Sequence, residues 1–182
     1  MSDGNIKSKP TILLIDDSRS FADLFMFRLK KEFDFIYVEG GAGAVEALKS
    51  DVENNIKLVI IDYEMPGLNG LSVAVNLKEI NNLLPMVMVT ADDNRDIVIG
   101  ALNIGIDGFI SKPVVVYEVV VAYLNSVLRK NHLAVEAHRL QAVIKMRDEM
   151  EIHRRYDDEI AQKIQAKFLM NDAACSAKLA QK

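Results

Sequence analysis

The chain has 182 residues, half of them hydrophobic and 26% charged, enough for one globular domain with an appendage or for two small domains. Its net charge of −4 divides into −7 over residues 1–128 and +3 over residues 129–182, and neither is the concentrated positive charge that binding a polyanion requires. A single cysteine, Cys175, excludes an intrachain disulfide; residues 1–10 lack a signal peptide's apolar core; and no apolar run reaches the ~18–20 residues of a membrane span, so a cytoplasmic protein without a membrane partner is expected.

Up to about residue 128, strand-like and helix-like segments alternate. Thr11–Ile15 is a short apolar run that ends in Asp16-Asp17. Helical spacing follows over Arg19–Lys31, with Phe21, Leu24, Phe25, Arg28 and Leu29 stacking at steps of three and four. Phe35–Val38 is the second strand, Gly43–Val52 a short helix, and Lys57–Ile61 the third strand, with Asp62 directly behind it. Pro66-Gly67 and Asn69-Gly70 mark a loop. Then come a helix over Leu71–Ile80, a strand over Met86–Thr90, a helix over Asp93–Leu102 and a strand over Gly108–Ile110. Lys112-Pro113 opens the last helix. Val114–Val121 holds six valines in eight residues and is a strand by propensity, but five strands are already in place, so it is read as helix.

Apolar strands alternating with helices predict an α/β fold, a five-stranded parallel sheet covered on both faces. Asp16, Asp17 and Asp62 then fall at the C-terminal ends of strands one and three, the edge where open parallel sheets bind ligands. Three converging carboxylates need a counter-charge. A hard divalent cation, best Mg²⁺, provides it with oxygen ligands. Thr90 ends strand four with a hydroxyl, and Lys112 follows strand five with a compact ammonium. That set suits one task, in which the Asp62 carboxylate attacks phosphorus while Mg²⁺ and Lys112 neutralise the phosphoryl oxygens.

LLIDDS at 13–18, IIDYEMPGLNG at 60–70, VTA at 89–91 and SKP at 111–113 together resemble a response-regulator receiver domain over residues 11–128. The resemblance implies a doubly wound, flavodoxin-like sheet of order 2-1-3-4-5. It implies Asp62 as phospho-acceptor, Asp17 as a direct Mg²⁺ ligand with Asp16 supporting it largely through water, and the backbone carbonyl of Glu64 as a further ligand. Thr90 would bond the phosphoryl group and Lys112 would pair with it. Phe109 takes the place of the aromatic switch residue, without the hydroxyl a tyrosine would bring. Glu64 and Asp92 occupy positions that tune loss of the phosphoryl group. The implied partner is a histidine kinase or phosphotransfer protein, and the chemistry is self-modification rather than ordinary enzyme turnover.

Residues 124–168 contain no Pro or Gly and read as one long helix or two. Leu133, Ala137, Leu140 and Ile144 form a coiled-coil-like seam. Arg147, Asp148, Glu149 and Glu151 interrupt it, and Ile152, Tyr156, Ile160, Ile164 and Phe168 follow at steps of four. Residues 129–182 are therefore expected to be a helical linker or output segment, with no helix-turn-helix and no nucleic-acid partner. Val115, Val116, Val119 and Val120, continued by Leu133, Leu140 and Ile144, are expected to form a homodimer surface or to meet a downstream protein. EIAQKIQAKFL at 159–169 and AACSAKLAQK at 173–182 resemble linkers to PP2C-type phosphatase or phosphatase-like outputs. The alternative is thus the regulatory portion of such a phosphatase, or a sigma-factor stress adaptor, cut before its output domain. His132, His138 and His153 lack metal-ligand spacing, and GGAG at 40–43 lacks the Lys-Ser/Thr of a phosphate loop.

Overall fold

The computed structural model describes residues 9–67, 69–91 and 95–179, and of residues 152–179 only some of the side chains. Five strands form one sheet: β1 (Thr11–Ile15), β2 (Asp34–Val38), β3 (Ile56–Asp62), β4 (Met86–Thr90) and β5 (Gly108–Ser111). All neighbours pair in parallel, in the order β2-β1-β3-β4-β5. The helices are α1 (Arg19–Leu29), α2 (Gly41–Ser50), α3 (Gly70–Ile80), α4 (Arg95–Ile104) and α5 (Tyr117–Leu179). This is the doubly wound α/β fold expected.

Each face of the sheet has its own core. Ile12, Leu14, Leu58, Ile60, Val87 and Val89 pack with Phe25 and Leu29 of α1 and with Val120, Leu124 and Val127 of α5. Leu13, Ile15, Val59, Ile61, Met86 and Met88 pack with α2, α3 and α4. Successive strand residues point to opposite faces, so a strand buried on both sides must be apolar throughout. That is why β1, β3 and β4 read as unbroken hydrophobic runs.

Two expectations need correction. The last helix begins at Tyr117, not at Pro113. Residues 112–116 connect β5 to α5, and Val114 turns into the α1/α5 core on the way. Val120 is 7% exposed and packs on the receiver's own sheet, so it adds nothing to an outer surface, whereas Val115, Val116 and Val119 are exposed.

The interrupted seam does not break the helix: α5 is assigned continuously to Leu179. The chain nevertheless divides into two units inside it, one ending at Ala134 and one beginning at Val135. In the second unit, Glu151–Arg155 at 3.0 Å and Glu159–Lys163 at 3.7 Å are i,i+4 ion pairs of the favourable orientation, as a solvated helix face would carry. Leu133, at the end of the first unit, and Leu140, Val143, Ile144, Met146 and Met150 are all exposed. No helix among the described residues is long and apolar enough to cross a membrane.

Candidate functional site

Strand alternation decides where the acids point. Asp16 continues the series Ile12, Leu14 on β1, and Asp62 continues Leu58, Ile60 on β3. Both therefore lie on the side of the sheet covered by α1 and α5. Both are almost fully buried, at 0% and 4% exposure. Oxygens of Asp16, Asp17 and Asp62 all lie within 4.8 Å of one another.

Lys112 sits between two of them. Its Nζ donates to Asp16 Oδ2 at 3.0 Å and lies 3.0 Å from Asp62 Oδ2. Its backbone N–H donates to the Thr90 carbonyl at 2.8 Å, which fixes the start of the side chain. Burial raises the pKa of Asp62 above the ordinary carboxylate value, and the hydrogen bond from Lys112 only partly offsets this. Burial pulls the Lys112 pKa down, but its hydrogen bonds to Asp16 and Asp62 outweigh that and hold it above the usual lysine value. The site thus gathers two buried carboxylates on one ammonium.

The donor set fits a hard cation. Three carboxylates converge and no soft ligand is among them. Asp16 has both oxygens engaged, Oδ1 by the Ser18 N–H at 2.8 Å and Oδ2 by Lys112. Asp62 likewise gives its Oδ2 to Lys112, so a metal would share that carboxylate with the ammonium. The Glu64 backbone hydrogen-bonds the Asp62 carboxylate, and its own side chain is exposed.

Thr90 and Phe109 fall on the other side. Thr90 continues Met86 and Met88, and Phe109 pairs with Met88 and packs against the α2/α3/α4 core. Thr90 is buried at the end of β4, one residue past Val89, which pairs with Asp62. The two expected switch residues therefore share a sheet face with α4. Asp92, expected to tune phosphoryl loss, lies outside the described residues.

Three site features escaped the sequence reading. Gly70 is one: a Cβ there would fall 2.3 Å from the Asp62 carbonyl oxygen, so only glycine lets α3 start so close to the acid. Tyr37 is another, its hydroxyl donating to the Asp16 carbonyl at 2.9 Å. The third is Phe21, whose ring centroid lies 4.3 Å from Lys112 Nζ. The Asn-Gly pair at 69–70 hinted at the first; the other two depend on contacts between distant segments.

The family description "Response regulator receiver domain" matches residues 12–125. The chain belongs to the response-regulator receiver family. The chain is 31% identical over 142 residues to the alkaline phosphatase synthesis transcriptional regulatory protein PhoP of Bacillus subtilis (strain 168), covering 77% of this chain and 55% of that protein. It is 32% identical over 122 residues to the sensory transduction protein RegX3 of Mycolicibacterium smegmatis, covering 66% of this chain and 51% of that one. The chain thus spans about half the length of these relatives. A CheY-like response regulator receiver domain protein from Methanospirillum hungatei JF-1 matches with a TM-score of 0.63 at 18% identity, over 70% of this chain and 99% of that one, a likeness of fold alone. These relatives are regulatory and sensory proteins, and they do not favour the phosphatase reading of the tail.

Proposed function

We propose that this receiver takes a phosphoryl group on Asp62 from the phospho-histidine of a histidine kinase or phosphotransfer protein. An Asp62 carboxylate oxygen attacks phosphorus, the bond from phosphorus to the imidazole nitrogen breaks, and the neutral imidazole leaves. The observation that carries this reading is the placement of one ammonium 3.0 Å from both Asp16 and Asp62. Lys112 can follow the charge from the free carboxylates to a phosphoryl oxygen with little movement. Asp17 and Asp62, with Asp16 through water and the Glu64 carbonyl, would hold Mg²⁺, which supplies further neutralisation of the phosphoryl oxygens. This is self-modification and needs no turnover of a second substrate.

Thr90 ends β4, and Phe109 lies on the same sheet face next to α4, level with Met88, two residues before Thr90, so a new charge on Asp62 can be read first by Thr90 and then by Phe109. The response then passes to α5 and the exposed residues Val115, Val116 and Val119 beside its start. Leu133, Leu140 and Ile144 give the helix a seam for a second copy, and twofold pairing is the commonest solution. A downstream protein or an output domain on the same polypeptide would receive the signal in the cytoplasm. Phosphorus NMR tests the first step. Acetyl phosphate with Mg²⁺ should produce a protein-bound acyl-phosphate resonance that chelation of the metal prevents from forming. A resonance that forms equally well in the chelator would remove Mg²⁺ from the reading.

A further inference from the structure

We infer that Phe21 is a positioning residue: its ring seats the Lys112 ammonium between Asp16 and Asp62 and so sets the rate of phosphoryl transfer. The inference rests on the reading of Asp62 as acceptor, and extends it to a residue outside the polar set.

The backbone of Lys112 is held, but its four-carbon stem is not held by that alone. A lysine side chain is flexible, and its ammonium has no built-in direction. Two sides of the ammonium face Asp16 Oδ2 and Asp62 Oδ2. The ring of Phe21 lies on another, 4.3 Å from Nζ to the centroid, within the range where the negative face of an aromatic attracts a cation. Lys112 keeps only 20% of its side chain exposed, so little water competes with this contact.

Phe21 is itself fixed from the site. Asp16 Oδ1 accepts the Ser18 N–H at 2.8 Å, and the Ser18 hydroxyl caps α1 by accepting the Phe21 N–H at 3.4 Å. A closed circuit results: Asp16 to Ser18, Ser18 to Phe21, Phe21 to Lys112, and Lys112 back to Asp16. On its inner side Phe21 stacks on the fully buried Phe25, with centroids 5.5 Å apart and rings inclined by 28°. The ring is therefore braced between the core and the ammonium. An aliphatic side chain could fill the volume but would present no π face.

The test compares the wild-type chain with Phe21→Leu, Phe21→Met and Phe21→Tyr. The first readout is the Lys112 ε-CH₂ resonance in chains with ¹³C-labelled lysine, assigned by its loss in Lys112→Arg, with no phosphodonor present. An ammonium on a ring face should show an upfield ring-current shift, kept in Phe21→Tyr and lost in both aliphatic variants. The second is the phosphorylation rate against acetyl phosphate concentration. The aliphatic variants should lose about three- to tenfold in the saturating rate, the worth of one such contact, at unchanged half-saturation, and Phe21→Tyr should restore it. Phe21→Met retains the volume, so it serves if Phe21→Leu fails to fold. A Lys112 resonance in Phe21→Met at the wild-type position would overturn the seat. An unchanged saturating rate in a variant that has lost the shift would overturn its effect on transfer. A wild-type chain that takes no phosphoryl group would instead overturn the acceptor reading, and the resonance would still decide whether Phe21 seats Lys112.

Discussion

The hydroxyl of Tyr123 on α5 occupies the space in which a side chain at Gly108 would begin: a Cβ built on Gly108 would lie 1.4 Å from that oxygen. The same hydroxyl hydrogen-bonds the backbone of Phe109, while burial pushes its pKa up. Helix α5 is thus pinned to β5 beside the expected switch residue. Gly108→Ala should cost about 1–3 kcal/mol, because the core must move to admit a methyl group. Tyr123→Phe should cost about 1 kcal/mol through the lost hydrogen bond. Urea denaturation of the three chains measures both. A Gly108→Ala chain as stable as wild type would mean that Tyr123 moves freely.

Asp62 should make stability depend on pH in an unusual direction. Its folded pKa is raised, chiefly by burial. Between the unfolded carboxylate value and that raised value the folded chain binds more protons than the unfolded one. Stability therefore falls as pH rises through this window. Without Mg²⁺, Asp62→Asn should melt higher than wild type near neutral pH, and the gap should close as pH falls below the unfolded value of 3.8. Lys112 acts in the same direction at higher pH: its raised pKa stabilises the fold below its unfolded value of 10.5, and that contribution fades as pH climbs through the folded value. Calorimetric melting across pH, with chelator present, checks both signs.

Much of this site could be read from the order of residues along the chain. A buried parallel strand must be apolar on both faces, so β1, β3 and β4 announce themselves, and the first polar residues after them, Asp16 and Asp62, must stand at the ligand-binding edge. Strand ends also located Thr90 and Lys112. What could not be read was anything set by a neighbour distant in sequence. Phe21 looks like one more apolar residue of an amphipathic helix until Lys112, far along the chain, is placed against it. Val120 and Val119 are indistinguishable in the valine run, yet one faces the sheet and one faces outward. Helical phase settles that only once the true start at Tyr117 is known.

Metal should stabilise the folded chain through the acids it joins. At a Mg²⁺ concentration about ten times its dissociation constant, the gain should be roughly 1.4 kcal/mol. Asp17→Ala should abolish the gain, because it deletes a carboxylate whose oxygens meet those of Asp16 and Asp62. Asp16→Ala should only weaken it, and should also loosen Lys112. Calorimetric titration measures the affinities directly. Undiminished Mg²⁺ affinity in Asp17→Ala would remove Asp17 from the metal site.

The exposed residues of α5 should hold two copies together. Covering Leu133, Leu140 and Ile144 removes apolar area from water at about 25 cal/mol per Å². Light scattering should find a dimer for residues 1–182 and a monomer for a chain ending near Arg129. Leu140→Glu with Ile144→Glu should also give a monomer. A full chain that is monomeric at high micromolar concentration, with and without phosphodonor, would assign this surface to another protein.

The most direct measurement is the intact mass of the wild-type chain and of Asp62→Asn after treatment with acetyl phosphate and Mg²⁺. We expect wild type to gain one phosphoryl group and Asp62→Asn to gain none, because the asparagine amide, although it can still meet Lys112, cannot attack phosphorus as a carboxylate does. Equal gain in both chains would contradict the assignment of Asp62 as the acceptor.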